Sequence, residues 1–234
     1  MLKSQLSHII HVIIPAFNEE KSIARVIAEI PADLVTEIIV VNNASTDQTA
    51  DVAGQMRATV LDEPEPGYGR ACLKGIGYCS KQHPLPDIVV FLDGDYSDYP
   101  QEMRSLVKPI VENKADLVIG SRALGTKEKG SMTTPQIFGN WLATTLLKIF
   151  FKVRFTDLGP FRAIRFTSLL SLNMQDKTYG WTVEMQLKSA KQKLRCLEIP
   201  VRYRKRIGIS KISGTVKGTI MAGYKILFTI FRYL

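Results

Sequence analysis

The sequence predicts an α/β fold: a mainly parallel, doubly wound sheet flanked by helices, with an amphipathic helical elaboration at its C-terminal end. Three observations predict it. Short, continuous, β-branched runs recur through the first 120 residues, helical 3.6-residue patterns separate them, and prolines fall in the connections. Continuous runs mean strands covered on both faces. Strands that alternate with helices close into βαβ units, whose ligand site lies at the carboxyl ends of the strands.

Ile9 to Ile14 runs into Pro15 and reads as the first strand, not as a signal peptide, so no export is expected. Ile23, Val26, Ile27 and Ile30 follow the i, i+3, i+4, i+7 spacing of a helix with one apolar face. Glu37 to Val41 is the second strand. Ser45 with Gln48 makes a capping-box signature and predicts a helix over Thr46 to Arg57. Gly67-Tyr68-Gly69-Arg70 precedes a helix that begins near Ala71; it has neither glycine-rich phosphate pattern and reads as a tight turn. Ile88 to Leu92 and Asp116 to Ile119 are further strands, and Pro31, Pro64, Pro66, Pro84 and Pro86 lie in connections.

The second half is more basic. Ile137 to Val153 reads as an amphipathic helix, with Asn140, Thr144, Lys148 and Lys152 on one stripe and Leu142, Leu146, Ile149 and Phe150 opposite. A short strand near Phe161 to Arg165, a helix over Thr182 to Gln192, an extended segment from Arg195 to Tyr203 and a basic run from Arg202 to Lys211 follow. One domain over 1–211, then a C-terminal helix over 212–234, is the expected organisation. The chain has 234 residues, 45% of them hydrophobic, enough for a sizeable core and too apolar for a disordered chain. Lys and Arg number 31 against 22 acidic residues, a formal charge of +9 that attracts phosphates, nucleic acid or anionic lipid without choosing among them. Cys72, Cys79 and Cys196 form no CxxC pair or zinc spacing and read as reduced thiols of a cytosolic protein.

The chemistry concentrates at strand ends. Ile88 to Leu92 runs straight into Asp93-Gly94-Asp95. Two adjacent carboxylates repel unless a cation sits between them, and Mg²⁺ or Mn²⁺ is commonly held by one or two carboxylates plus substrate phosphates. The other reading is a strand-ending turn. Pro15-Ala16-Phe17-Asn18-Glu19 ends the first strand and Asn42-Asn43-Ala44-Ser45-Thr46-Asp47 the second, which brings three polar loops to one edge of the sheet.

At these loops, and again at Val118-Ile119-Gly120-Ser121-Arg122 and Arg206-Ile207-Gly208-Ile209-Ser210-Lys211, the chain resembles the family 2 glycosyltransferases of the GT-A fold. The likeness is to the branch around dolichyl-phosphate mannose synthase and spans nearly the whole chain. It implies a nucleotide diphosphate sugar donor and Mg²⁺ or Mn²⁺. Pro15, Phe17, Glu19 and Asn43 match positions that hold base and ribose. Asp93, Gly94 and Asp95 match the acidic motif, with Asp93 and Asp95 as metal ligands and Asp95 in a catalytic role. Arg122, Arg206, Ser210 and Lys211 match positions near the acceptor and the phosphates. Asn43 departs from an Asp common there, and Ser97 stands where the nearest synthases carry a metal-holding Gln.

A hydroxyl acceptor would need a carboxylate base, for which Asp157 and Glu184 are the candidates; a lipid phosphate is already anionic and needs none. Gly218 to Leu234 is apolar but interrupted by Lys225 and Arg232, too broken to cross a bilayer. Lys217, Lys225 and Arg232 fall within an arc of roughly 80° on a helix, as in a helix lying in an interface or in an oligomer contact. The expected protein is a cytoplasmic, inverting hexosyltransferase, peripheral on the inner face of a membrane. Its expected donor is a UDP sugar ahead of a GDP sugar, because an Asn43 carbonyl can accept the uracil N–H. Its expected acceptor is a polyprenyl phosphate, with the hydroxyl of a saccharide, protein or small molecule as the alternative. A nucleotide-sensing or membrane-docking module is the non-enzymatic alternative. No nucleic-acid partner is expected, and a homo-oligomer is possible.

Overall fold

The strand and helix patterns resolve into one seven-stranded sheet with helices on both faces in a computed structural model, which describes residues 8–208 and 216–234. In chain order the elements are β1 (Ile10–Ala16), α1 (Ile23–Glu29), β2 (Glu37–Asn43), α2 (Thr49–Gln55), β3 (Thr59–Glu63) and α3 (Tyr68–Cys79). Then come β4 (Ile88–Phe91), a 3-10 turn (Pro100–Glu102), α4 (Met103–Val111), β5 (Leu117–Ser121) and α5 (Thr134–Phe151). β6 (Arg162–Arg165), α6 (Phe166–Leu172), α7 (Trp181–Lys191), β7 (Cys196–Pro200) and α8 (Val216–Arg232) complete the described chain.

The strand order is β3-β2-β1-β4-β6-β5-β7. All neighbours are parallel except β6, which runs antiparallel between β4 and β5, with Val90 opposite Ala163 and Val118 opposite the same residue. Every residue of β1, β4 and β5 is buried, which is why their sequences are continuous apolar runs and do not alternate. Val12, Ile14, Val40 and Val90 face α1, α2 and α4, while Ile13, Val41, Val89 and Phe91 face α3 and the C-terminal helices. Strand β3 lies at the sheet edge and is only partly buried, so it carries no continuous apolar run and the sequence pattern misses it.

Two expectations about helices need correction. No capping box forms at Ser45: helix α2 begins three residues after Thr46, with no side-chain cap at Gln48. The Ser45 hydroxyl instead accepts the Asn18 N–H at 3.0 Å, a partner far away in sequence. Helix α5 starts at its own capping box, formed by Thr133 and Gln136; Asn140 and Thr144 of its polar stripe are half-buried, while Lys148 and Lys152 stay exposed. Asn140 donates to the Thr156 carbonyl at 2.9 Å and accepts the Leu158 N–H at 2.8 Å, satisfying backbone groups of an irregular turn. Only Ala143 and Leu147 of α5 are fully buried, and Ile137, Phe138, Trp141 and Ile149 are 52 to 61% exposed.

Helix α8 packs against α5 and α7, seating Ile230 in the core and leaving Ile220, Tyr224 and Phe231 outward. Phe150 of α5 and Phe231 of α8 meet edge to face at 6.0 Å. Among the described residues no helix is long and apolar enough to cross a membrane.

Candidate active site

The loops after β1 and β2 are laced into one wall. Asn18 Oδ1 accepts the Thr46 N–H at 2.8 Å, Thr49 Oγ1 accepts the Glu19 N–H at 2.8 Å, and Glu20 accepts the Gln48 N–H at 3.1 Å. Asp47 accepts the Glu20 N–H at 3.2 Å. Asn18, Ala44 and Tyr96, one in the loop after each of β1, β2 and β4, all adopt left-handed backbone conformations (φ 54°, 59° and 68°). Such conformations are costly for Ala and Tyr and persist where the surroundings enforce them, commonly at functional sites.

These loops open a cleft of about 210 Å³ at the carboxyl ends of β1, β2 and β4. It is lined by Pro15, Phe17, Glu19, Asn43, Asp93, Gly94, Asp95 and Arg206, so residues distant in sequence and singled out there meet in one place. Sequence reasoning missed Pro66, Tyr68 and Tyr179, which also line it. Gly67-Tyr68-Gly69 was the available signal. Its glycines are required because a Cβ at either would collide with the backbone carbonyls of Lys177 or Asp176.

Asn43 lines the cleft but does not offer its carbonyl to a base. Its Oδ1 accepts the Gly67 N–H at 2.8 Å and its Nδ2 donates to the Glu65 carbonyl at 2.7 Å, which ties the end of β2 to the loop before α3. This corrects the reason for preferring uracil. Phe17, 40% exposed, presents an apolar ring in the cleft lining.

The acidic pair is electrostatically loaded. Burial and the neighbouring Asp95 carboxylate raise the Asp93 pKa to about 7. One Asp93 oxygen is buried without a hydrogen-bond partner among the described residues. Asp95 is held from both sides: Ser97 donates to its Oδ1 through N–H (2.8 Å) and hydroxyl (2.5 Å), and Arg206 pairs with its Oδ2. Ser97 therefore orients a carboxylate where a Gln would reach for metal. Among the described residues no three-residue cluster of His, Cys, Asp or Glu could hold an ion alone. The donor set, two carboxylates with one orphaned oxygen, fits a hard divalent cation completed by substrate phosphates. Asp98, also missed, is 2% exposed with both carboxylate oxygens unpartnered among the described residues. Burial and the charges of Asp93 and Asp95 push its pKa well up from the ordinary carboxylate value.

The remaining site residues lie outside the cleft lining. Arg122 forms a two-pronged pair with Asp157, Nε to Oδ2 at 2.9 Å and an outer nitrogen to Oδ1 at 2.6 Å, and its guanidinium lies 5.1 Å from the Tyr203 ring centroid. Asp157 is fully buried, and its pairing with Arg122 outweighs burial to hold its pKa below the ordinary value. Glu184, 1% exposed, is enclosed by the Gln175 and Asp176 N–H groups, Lys188 and the Tyr233 hydroxyl. Neither carboxylate is brought to the cleft as a base: each spends its oxygens on structural partners. Ser210 and Lys211 lie outside the described residues.

A mainly parallel sheet flanked by helices, with an acidic pair after its central strand, is the GT-A architecture of glycosyltransferases. A solved structure of glucosyl-3-phosphoglycerate synthase from Mycobacterium tuberculosis, in complex with Mn²⁺, UDP and phosphoglyceric acid, shares this fold. Its TM-score is 0.77 over 97% of this chain and 78% of that one, at 22% identity. The chain belongs to glycosyl transferase family 2, whose family model matches residues 11–172, and is a sugar-transferring enzyme. An uncharacterized glycosyltransferase of Mycobacterium tuberculosis is 33% identical over 214 residues, 90% of this chain and 93% of the relative. The undecaprenyl-phosphate mannosyltransferase of Micrococcus luteus is 29% identical over 219 residues, 88% of each chain.

Proposed function

We propose that this enzyme moves a hexose, with inversion, from a nucleotide diphosphate sugar to a polyprenyl phosphate at the cytoplasmic face of a membrane. The base lies on Phe17 and Pro15, the ribose near Glu19, and the diphosphate between Asp95 and Arg206. UDP is preferred to GDP on the strength of the structural neighbour named above, which was solved with UDP.

One observation carries the choice of acceptor: Asp157 and Glu184 are both committed to buried structural partners. A hydroxyl acceptor would need a carboxylate base, and neither of these two is free to serve as one. A lipid phosphate arrives deprotonated. Its oxygen attacks the anomeric carbon from the face opposite the diphosphate, and the bond to the diphosphate breaks with its electron pair staying on the departing oxygen. Arg206, released from Asp95, meets that growing negative charge. Mg²⁺ or Mn²⁺ held by Asp93 and Asp95 would supply the larger share of charge neutralisation. The polyprenyl-phosphate relative supports this class of acceptor.

The exposed apolar faces of α5 and α8 suit a membrane surface. Ile137, Phe138, Trp141, Ile220, Tyr224 and Phe231 lie outward, with Lys148 and Arg232 exposed on the same two helices. Aromatic and aliphatic side chains bordered by cations match an anionic bilayer interface.

Incubating the full chain with Mn²⁺, UDP or GDP sugars and an acceptor panel tests the reading by mass spectrometry of products. Hexosylated polyprenyl phosphate is expected, and faster transfer to a saccharide, peptide or small-molecule hydroxyl would overturn the acceptor assignment.

A further inference from the structure

The loop from Asn173 to Gly180, between α6 and α7, is gripped from two sides. On one side it meets the start of α3: the Gly69 N–H donates to the Thr178 carbonyl at 3.3 Å and the Arg70 N–H to the Lys177 carbonyl at 3.1 Å. The absence of side chains at Gly67 and Gly69 permits this approach. Tyr179, at the end of that loop, faces the same cleft as Tyr68 and Phe17. On the other side the loop is held by buried charges and by α8. Glu184 accepts the Asp176 N–H at 2.7 Å and the Gln175 N–H at 3.1 Å. The Tyr233 hydroxyl, just past α8, donates to Glu184 at 2.8 Å, and Lys225 of α8 pairs with Asp176 at 3.1 Å. Asp176 in turn accepts the Thr178 N–H at 2.8 Å. A Cβ on Gly180 would collide with the Thr229 hydroxyl, so α8 also presses directly on the loop.

We infer that Tyr179 is a donor-contacting residue that sets nucleotide affinity, and that α8 positions it through the Lys225–Asp176 and Tyr233–Glu184 contacts. The inference rests on the cleft being the nucleotide site. Glu184, Asp176, Lys225 and Tyr233 are then positioning residues. They explain why buried carboxylates and a cation sit at the root of a helix whose outer face is apolar: the helix that meets the membrane also sets the wall of the donor cleft. Docking of α8 and affinity for the donor are thereby linked, since two sites that share one positioned element bias each other.

Calorimetric titration of the full chain with UDP in Mn²⁺, paired with hydrogen exchange of the amides at 67–70 and 175–180, tests this. Tyr233→Phe keeps the ring and deletes the hydroxyl; Lys225→Met keeps the stem and deletes the charge. Each is expected to weaken UDP by roughly three- to tenfold, to raise the donor KM with little change in kcat, and to speed exchange at 67–70 as well as 175–180. Lys225→Arg is expected to restore affinity. On a Tyr179→Ala background the two changes should cost nothing further. Additive losses on that background, or unchanged UDP affinity in both variants, would overturn the inference. Absence of UDP binding by the unaltered chain would overturn the nucleotide reading, and the Tyr179 contact with it. Exchange at 67–70 that stays unchanged in both variants would independently refute the link from α8 to the wall.

Discussion

The two halves of this chain are built on opposite plans. From β1 to β4, apolar side chains fill most of the interior, with His11 a buried exception, and polar ones gather at the strand ends, where Asn18, Ser45, Asp47 and Thr49 at the start of α2 lace neighbouring turns together. From α5 onward the interior holds charges and amides, among them Asp157, Arg162, Glu184 and Gln186, while Ile137, Trp141, Ile149 and Tyr224 face outward. The first half thereby frames the cleft. The second half spends polar groups on holding irregular turns in register and leaves large apolar side chains on its surface.

The largest effect is expected in the polar interior of the second half. Arg122→Ala leaves Asp157 buried and uncompensated and is expected to lower stability by about 3–5 kcal/mol in urea denaturation, because an unpaired buried charge costs more than the pair contributed. A loss below about 1 kcal/mol, the range of a surface ion pair, would remove the structural role given to this pair.

Next in size is the cleft. Asp95→Ala and Asp93→Ala are each expected to lower turnover by about 10²–10³-fold without loss of fold, as for other removals of transition-state charge stabilisation. Normal turnover in both would move the chemistry elsewhere.

A smaller effect is expected at the outer face of α5 and α8. Trp141→Ser should weaken sedimentation with phosphatidylglycerol vesicles by roughly ten- to a hundredfold, the cost of one lost large apolar contact, while urea stability stays within about 0.5 kcal/mol. A large stability loss with unchanged vesicle binding would mean that this face packs on protein.

A pH dependence is also expected at the acidic pair. The folded state raises Asp93 to about 7 from 3.8, so it favours the protonated form. That contribution to stability is present at low pH and is lost as pH rises from about 4 through about 7 in cation-free protein. Mn²⁺ needs the carboxylate, so its affinity should climb by up to about tenfold per pH unit below 7 and level off above it. Melting temperatures in chelator and Mn²⁺ titrations check the two halves of this expectation, and a flat Mn²⁺ affinity between pH 5.5 and 8 would contradict it.

Much of the first half was legible because local pattern and tertiary role coincide there. A strand such as Ile88 to Leu92 is apolar because both of its faces are covered, and Asp93 and Asp95 follow it because the site lies at the strand ends. Legibility failed where a side chain's partner lay far along the chain. Ser45 resembles a helix cap, yet its hydroxyl serves Asn18. Asn43 resembles a base reader, yet its amide is shared between Gly67 and Glu65. The stripe through Asn140 resembles a solvated face, yet it supports the turn at Thr156 to Leu158. Tyr179 carries no local signal at all, since only the approach of its loop to Gly67 and Gly69 brings it to the cleft.

The most direct measurement is a crystal structure of the full chain with UDP and Mn²⁺. The expected result has the uracil against Phe17, the metal on Asp93 and Asp95, and Arg206 moved from Asp95 to the diphosphate. UDP bound away from this cleft, or Arg206 still paired with Asp95 beside a bound diphosphate, would contradict the assignment.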